Sequence, residues 1–169
     1  LGGVEHSQVR QQYDDGNIHR AQKAVYGGHG MSLTNFGVKL ISDMMVNITP
    51  MPPVLYVAVM TRPATFFTTG AQLLEPTDTA YERVPIYMND EWWDDASNGQ
   101  KTNAQDIMFP ISTMDWGLIS HFAMCDDSEG GNVVYGAHFR EAYYVGDNVR
   151  LSILKGNLYF GIATTETVL

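Results

Sequence analysis

Cysteine, positive charge and long apolar runs are all scarce in this sequence of 169 residues. The lone Cys125 excludes a disulfide framework and a cysteine-based metal site, and its place in an apolar run predicts a small buried residue. Ten Lys and Arg stand against 19 Asp and Glu, so the net charge is −9. Such a chain would repel nucleic acid, whose binding needs a basic face. No apolar stretch approaches the roughly 18 residues of a membrane span, so we expect neither a nucleic-acid nor a membrane partner.

Catalytic motifs are missing as well. The sequence contains no Gly-x-Ser-x-Gly element, no phosphate-binding glycine loop and no His-Glu-x-x-His pair. Only His121 and His138, in neighbouring predicted strands, could approach each other, and no third zinc ligand accompanies them. We therefore predict that the chain is not an enzyme and that it binds no metal or other cofactor.

The residues that are present indicate a folded β protein. Hydrophobic residues make up 44% and charged residues 17%, and 16 glycines and seven prolines occur with many Thr, Tyr and Val. Short apolar or alternating segments separated by Gly, Asn and Asp turns follow one another from residue 54 onward. They predict a mainly β domain over residues 31–169, an antiparallel β-sandwich of jelly-roll-like or immunoglobulin-like type.

The strand pattern is carried by segments 54–61, 81–88, 107–112, 118–125, 133–139 and 149–153, and alternation resumes at residue 158. Pro85 and Pro110 interrupt two of these segments, which predicts edge strands or bulges because proline donates no ladder hydrogen bond. The acidic stretch 126–132, which ends in Gly-Gly-Asn, predicts a hairpin turn. A calcium loop is the less favoured alternative, since the bidentate Glu that such a loop needs is missing.

Before the strands, residues 31–53 predict one short helix. Apolar residues recur at helical spacing, namely Leu33, Phe36, Leu40 and Met44. Ser32 and Thr34 are both suitable N-cap residues, and the prolines that follow residue 49 end the helix. The helix is expected over about 33–46.

The first thirty residues are polar and punctuated by glycine, which predicts an extended N-terminal arm, with a helical turn around 18–25 as an option. Its apolar residues are too few to fold alone, so a neighbouring subunit would order the arm, and an unattached tail is the alternative. The interface candidates within it are Tyr13, Ile18, Val25 and Tyr26.

Two adjacent tryptophans, Trp92 and Trp93, stand between acidic residues in the long segment 89–105. Tryptophan is over-represented at subunit interfaces, so both are interface candidates. One of them could instead close the core beneath the segment. The remaining alternative is an aromatic platform on which a sugar stacks.

A series of short motifs occurs in order from Met31 onward. They are Met31-Ser32-Leu33-Thr34-Asn35-Phe36, Leu55-Tyr56-Val57-Ala58-Val59, Glu75-Pro76, Tyr81-Glu82-Arg83-Val84, Asn103 to Pro110, Trp116-Gly117, His121-Phe122 with Asp126, Gly130-Gly131-Asn132, and Gly146-Asp147-Asn148-Val149-Arg150. In this order they resemble a family of small bacteriophage virion proteins variously labelled tail fibre proteins or head decoration proteins. The resemblance extends over about 31–164.

The resemblance implies a non-enzymatic structural protein of a phage particle, assembled in the host cytoplasm. Its implied partners are further copies of itself and other virion proteins, either the major capsid protein or tail proteins. Family members typically begin near the position of Met31, whereas this chain carries thirty residues before it and starts with Leu. An added arm extends contacts to neighbours, which favours a capsid decoration, or cement, role. The alternative is a tail or tail-fibre module, with host-surface glycan as a ligand.

Overall fold

The computed structural model of the chain describes residues 18–22, 32–97 and 100–161. Its strands are β1 (Ile18–Gln22), β2 (Ser32–Leu33), β3 (Val54–Met60), β4 (Val84–Tyr87), β5 (Gln100–Thr102), β6 (Ile107–Ile111), β7 (Gly117–Cys125), β8 (Val133–Val145), β9 (Val149–Ile153) and β10 (Tyr159–Gly161). The helix α1 spans Asn35–Met45, and a single 3-10 turn spans Gly70–Gln72. Among the residues described, no helix is both long and apolar enough to cross a membrane.

The strands form two main sheets and one small sheet. The five-stranded sheet has the order β2-β8-β7-β3-β4, and all its pairs are antiparallel. The three-stranded sheet has the order β1-β9-β6, in which β1 runs parallel and β6 antiparallel to β9. The antiparallel pair β10-β5 stands beside them.

The two main sheets bury one common core. The five-stranded sheet contributes Val57, Phe122 and Phe139 to the same apolar cluster that receives Phe109 and Leu151 from the three-stranded sheet. Burial of this apolar surface is the main favourable term in folding. The prediction of a mainly β, antiparallel sandwich with one short helix is confirmed.

The helix begins where the sequence places a capping residue. Thr34 is the N-cap, and its hydroxyl accepts a hydrogen bond from the amide of Gly37 at 3.1 Å. The same hydroxyl donates to the carbonyl of Val133, so the cap also joins α1 to β8. Gly37 is buried against that strand, since a Cβ at this position would lie 1.9 Å from the carbonyl oxygen of Val134. The helix therefore packs through its backbone onto the five-stranded sheet.

Both proline-containing segments lie at sheet edges, as predicted. Pro85 is in β4, the outer strand of the five-stranded sheet. Pro110 is in β6, the outer strand of the three-stranded sheet, where the register with β9 shifts between Met108 and Ile111. A residue without an N–H is tolerated at these positions because, among the described strands, none pairs with the outer side of β4 or β6.

The predicted hairpin at 126–132 is also present. It joins β7 to β8, and Cys125 pairs with Val133 across it. Gly130 and Gly131 have φ angles of 61° and 67°, a backbone region that glycine adopts without strain. The stretch is therefore a tight turn between two long antiparallel strands.

The N-terminal strand was not predicted. Ile18–Gln22 forms β1 rather than a helical turn, so that option is wrong for these five residues. The physical reason is the open edge of β9, which offers backbone partners that the local sequence cannot reveal. The remainder of the arm, residues 1–17 and 23–31, lies outside the described residues, so its extended form stays a prediction.

Candidate functional site

Trp93 lies in the core. Its side chain is 4% exposed, and its indole N–H donates to the carbonyl oxygen of Tyr87 at 3.0 Å. Its backbone forms an isolated β-bridge with Asn103, next to β5. One of the two tryptophans thus closes the core beneath its own segment, and it has little surface left to offer a partner.

Trp92 is half-buried and lies at the surface end of the same cluster. Its ring centroid is 5.8 Å from that of Tyr87, at an interplanar angle of 52°. Tyr87 itself is 48% exposed. The aromatic surface near this segment therefore consists of Trp92 with Tyr87, a pairing that the sequence did not reveal.

Of the other interface candidates, Ile18 is the one within the described residues. Tyr13, Val25 and Tyr26 lie outside the described residues. Ile18 is the first residue of β1, where its backbone pairs with Val149. The interface roles of these residues and of the two tryptophans stay predictions.

A buried arginine, Arg83, is the strongest polar feature that the sequence analysis missed. Its Nε and one terminal nitrogen donate to the two carboxylate oxygens of Glu75 at 3.0 and 2.7 Å. The remaining donors reach the carbonyl oxygens of Gly70, Asp127 and Gly130 at 2.9–3.0 Å. These five bonds use all five N–H groups of a guanidinium. Arg83 therefore serves to join chain segments, with no donor left for a ligand.

Tyr81 extends this network towards the core. Its hydroxyl donates to Glu75 at 2.7 Å and accepts from the amide of Val59 at 3.0 Å. Burial, followed by the negative charge of Glu75, raises the pKa of Tyr81 far above its ordinary value. The ring contacts Trp116 edge-on at 5.3 Å. Tyr81 is thus a neutral, structurally engaged hydroxyl.

An open cleft of about 580 Å³ lies over the network. Arg83 and Tyr81 are among its lining residues, together with Glu75, Glu82 and Glu129. Because the guanidinium is fully hydrogen-bonded, the cleft presents carboxylates but no available cation to an incoming anion. An anionic substrate would be disfavoured there.

A second buried polar group, Asp78, joins the segment before β4 to the segment between β6 and β7. Its carboxylate accepts from the amide of Ala80, from the amide and hydroxyl of Thr113, and from the indole N–H of Trp116, at 2.6–2.9 Å. The hydroxyl of Thr113 is the largest cause holding the pKa of Asp78 well below its usual range. Trp116, one of the motif residues, is therefore a structural residue with its N–H satisfied.

The two candidate histidines do meet across β7 and β8. His121 pairs with His138 in the ladder, and their ring centroids are 6.4 Å apart. Ser120 donates its hydroxyl hydrogen to Thr61, so its oxygen accepts from Nδ1 of His121 at 2.8 Å. Burial first, and then His138, lowers the pKa of His121. Among the residues described, no cluster of three or more metal-ligating side chains is found.

The remaining reactive candidates have structural roles. Cys125 is fully buried, and burial raises its pKa to about 12, so it is a core thiol as predicted. Both carboxylate oxygens of Asp126 accept from Asn132, one from the amide at 2.6 Å and one from the side chain at 2.9 Å. They close the hairpin turn.

Comparison with known protein families connects these observations to a virion protein. The sequence model of the family Gp80, described as podophage GP4 fiber I protein gp80, matches residues 32–161. The match begins at β2 and ends at β10, so it includes α1 and every strand described except β1. No curated protein matches the chain.

Proposed function

We propose, since this chain belongs to the podophage GP4 fiber I protein gp80 family, that it is a non-enzymatic structural subunit of a phage fibre. The observation that carries the proposal is the extent of the match, which covers more than three quarters of the chain. The resemblance to phage virion proteins labelled as tail fibre proteins is thereby confirmed. As a member of a fibre family, the chain is a component of the virion.

The geometry supports a structural role. The side chains best suited to chemistry are occupied in holding the fold: Arg83 and Asp78 are saturated with hydrogen bonds, and the thiol of Cys125 is buried. A catalytic group has to reach a substrate, and it usually stands in a cleft with a perturbed pKa. In this chain Tyr81 and Asp78, whose pKa values are shifted, are hydrogen-bonded to other residues of the same chain.

Capsid decoration, the role favoured by the sequence analysis, is not supported by the family match. The argument for it was the thirty-residue arm, which lies outside the matched residues 32–161. The family description favours the alternative of a fibre protein. We therefore propose a subunit of a fibre, with further copies of the chain and neighbouring tail proteins as its partners.

Immunogold electron microscopy of intact phage particles tests this placement. Antibodies raised against the purified chain are expected to label fibres at the tail. An antibody against the major capsid protein serves as the control for labelling of the head. Labelling by the first antibody over the capsid surface would overturn the fibre assignment and restore the decoration role.

A second candidate function, binding of a host-surface glycan, is favoured by one observation, the contact of the half-buried Trp92 with the exposed Tyr87. Aromatic faces stack on the apolar faces of sugars, and this pair is partly open to solvent. Titration with host polysaccharide should shift the tryptophan fluorescence of the wild type, and Trp92→Ala should abolish the shift. Tyr144→Ala, at another exposed aromatic residue, is the matched control. An unchanged spectrum for the wild type would reject this function.

A further inference from the structure

The outer face of β4 carries a row of rings that begins at the contact of Trp92 with Tyr87. Ile86 belongs to the buried core, so its neighbours in the strand, Pro85 and Tyr87, point away from the core. Both are exposed. Residues that follow each other on one face of a strand are about 7 Å apart. The ring surface therefore continues along β4 and does not end at Tyr87.

Tyr56 extends this row onto the neighbouring strand. In the β3–β4 ladder it stands opposite Pro85, and neighbouring strands lie about 5 Å apart. Its neighbours Leu55 and Val57 belong to the buried core, so the half-buried ring of Tyr56 lies on the same outer face as Pro85. Tyr56 and Pro85 both line the open cleft described above. We name this row the ring track; it consists of Trp92, Tyr87, Pro85 and Tyr56.

The cleft at the end of the ring track offers hydrogen-bond acceptors. Glu82 and Glu129 line it as exposed carboxylates. Among the described residues that line the cleft, Arg83 is the one basic side chain, and its five N–H groups are bound within the protein. The volume of about 580 Å³ lies within the roughly 300–1,000 Å³ that ligand sites usually have. A ligand that fits this cleft donates hydrogen bonds and carries no acidic group.

A carbohydrate chain matches both the ring track and the cleft. Sugars have apolar faces, which stack on the rings of tryptophan, tyrosine and proline, and hydroxyl groups, which donate to carboxylates. Four rings in a row offer more surface than one sugar covers, which favours a linear chain of several sugars. Carboxylate, sulfate or phosphate groups on that chain would be repelled by Glu82 and Glu129.

We propose, on the basis of the glycan-binding function put forward above, that the ring track binds a linear oligosaccharide without acidic groups, one end of which enters the cleft. Trp92 and Tyr87 hold the end of the chain that lies outside the cleft. Tyr56 stacks on a sugar at the entrance of the cleft. Glu82 and Glu129 accept hydrogen bonds from sugar hydroxyls and exclude acidic glycans.

Calorimetric titration with oligosaccharides sorted by charge tests the proposal. Host surface polysaccharide is cut by mild acid hydrolysis, and an anion-exchange column divides the fragments into an unretained fraction without acidic groups and a retained acidic fraction. The wild type should bind the unretained fraction more tightly. Tyr56→Ala should weaken that binding roughly threefold to tenfold, the effect of one lost aromatic contact. Tyr144→Ala, at an exposed aromatic residue outside the ring track, should leave it unchanged.

A charge variant provides a second readout, which does not depend on a substitution within the sheet. Glu82 and Glu129 are exposed, so the double variant Glu82→Gln/Glu129→Gln should fold like the wild type. It should bind the acidic fraction roughly twofold to fivefold more tightly than the wild type does, because two repelling charges are removed. Glu141→Gln, at an exposed carboxylate of β8, is the matched control and should bind this fraction as the wild type does.

Three results would overturn the ring track as a site for such a chain. They are a preference of the wild type for the acidic fraction, binding of the unretained fraction that Tyr56→Ala leaves unchanged, and equal binding of the acidic fraction by wild type and double variant. A proline-rich peptide that binds where neither fraction does would also overturn it. If Trp92→Ala abolishes glycan binding in the first three cases, the glycan function stands without the ring track. If neither fraction binds to the wild type, the glycan function itself fails.

Discussion

The guanidinium of Arg83 joins three regions that lie far apart in the sequence. From its position just before β4, it reaches the segment at Gly70, thirteen positions away, and the β7–β8 turn at Asp127 and Gly130, 44 and 47 positions away. The sequence identified Arg83 as part of a Tyr-x-Arg-Val motif and no more. Its partners could not be predicted, because long-range carbonyl contacts leave no periodic or local pattern.

Replacing this arginine should weaken the fold severely. Arg83→Met keeps the length of the side chain but removes all five hydrogen bonds and leaves Glu75 without its ion pair. Loss of one member of a buried pair costs about 3–5 kcal/mol, so the free energy of unfolding should fall by that amount in urea titrations. Arg62→Met, at an exposed position, is the control and should change it by less than about 0.5 kcal/mol. Equal effects for the two variants would show that the hydrogen bonds of Arg83 to these segments do not stabilise the fold.

Asp78 makes the stability sensitive to acid. Its pKa in the folded protein lies below the ordinary value of 3.8, so its contribution is fully present above about pH 4. As the pH falls below the ordinary pKa, the carboxyl of Asp78 takes up a proton in the unfolded chain before it does so in the folded protein. The stabilising contribution is therefore lost as the pH approaches the lower pKa of the folded state. Asp78→Asn places an amide N–H₂ against the donors of Thr113 and Trp116 and should destabilise the protein at pH 7.

Chemical denaturation between pH 2.5 and pH 7 measures this effect. The difference in unfolding free energy between wild type and Asp78→Asn should be largest at neutral pH and should shrink as pH falls below about 4. Asp90→Asn, at an exposed carboxylate, provides the comparison. A difference that is constant across this range would show that the charge of Asp78 contributes nothing.

At the scale of elements, apolar alternation predicted the long strands, and apolar residues at helical spacing predicted the helix. Neither pattern revealed the short polar strands. The strand β5 consists of Gln, Lys and Thr, and β1 consists of Ile, His, Arg, Ala and Gln. Neither has a repeating apolar face, so only the presence of β10 and β9 beside them makes them strands. The two prolines, in contrast, correctly predicted edge strands. A proline has no N–H to donate to a neighbouring strand, whatever its side chain contacts.

The contact of α1 with β8 provides a test at this scale. In an ordinary helix Gly→Ala stabilises by about 1 kcal/mol. At Gly37 the added Cβ would collide with the carbonyl of Val134, so Gly37→Ala should instead destabilise by about 1–3 kcal/mol in thermal or urea unfolding. Ser42→Ala, on the exposed face of the same helix, should stay within about 0.5 kcal/mol of wild type. A stabilising Gly37→Ala would mean that the helix does not pack this closely.

At the scale of the whole molecule, the sandwich and the arm differ in composition, since the 19 acidic residues divide into three before Ser32 and sixteen from there on. The family match begins at Ser32, after the arm. The sandwich class could be predicted because turns and alternation are local signals. The order of strands within each sheet could not, because it depends on long-range pairing such as that of β1 with β9.

A variant that lacks residues 1–31 should therefore keep its fold. The hydrogen bonds lost with β1 are offset by the chain entropy that the shorter protein no longer loses on folding, so the loss in unfolding free energy should not exceed a few kcal/mol. Circular dichroism should retain the β spectrum, and thermal unfolding should remain a single cooperative transition. A non-cooperative transition would show that the sandwich depends on its arm.

The two prolines in the outer strands β4 and β6 determine which edges of the sheets can pair with a further strand. Pro85 closes one side of the five-stranded sheet and Pro110 one side of the three-stranded sheet. The opposite edges are β2 and β1, both supplied by residues before the helix. A sheet that can be extended on one side alone cannot become an endless ribbon, even at the high local concentration of an assembling particle. Proline at these two positions therefore leaves each main sheet with one edge, at β4 and at β6, that is poorly suited to pairing with a further strand.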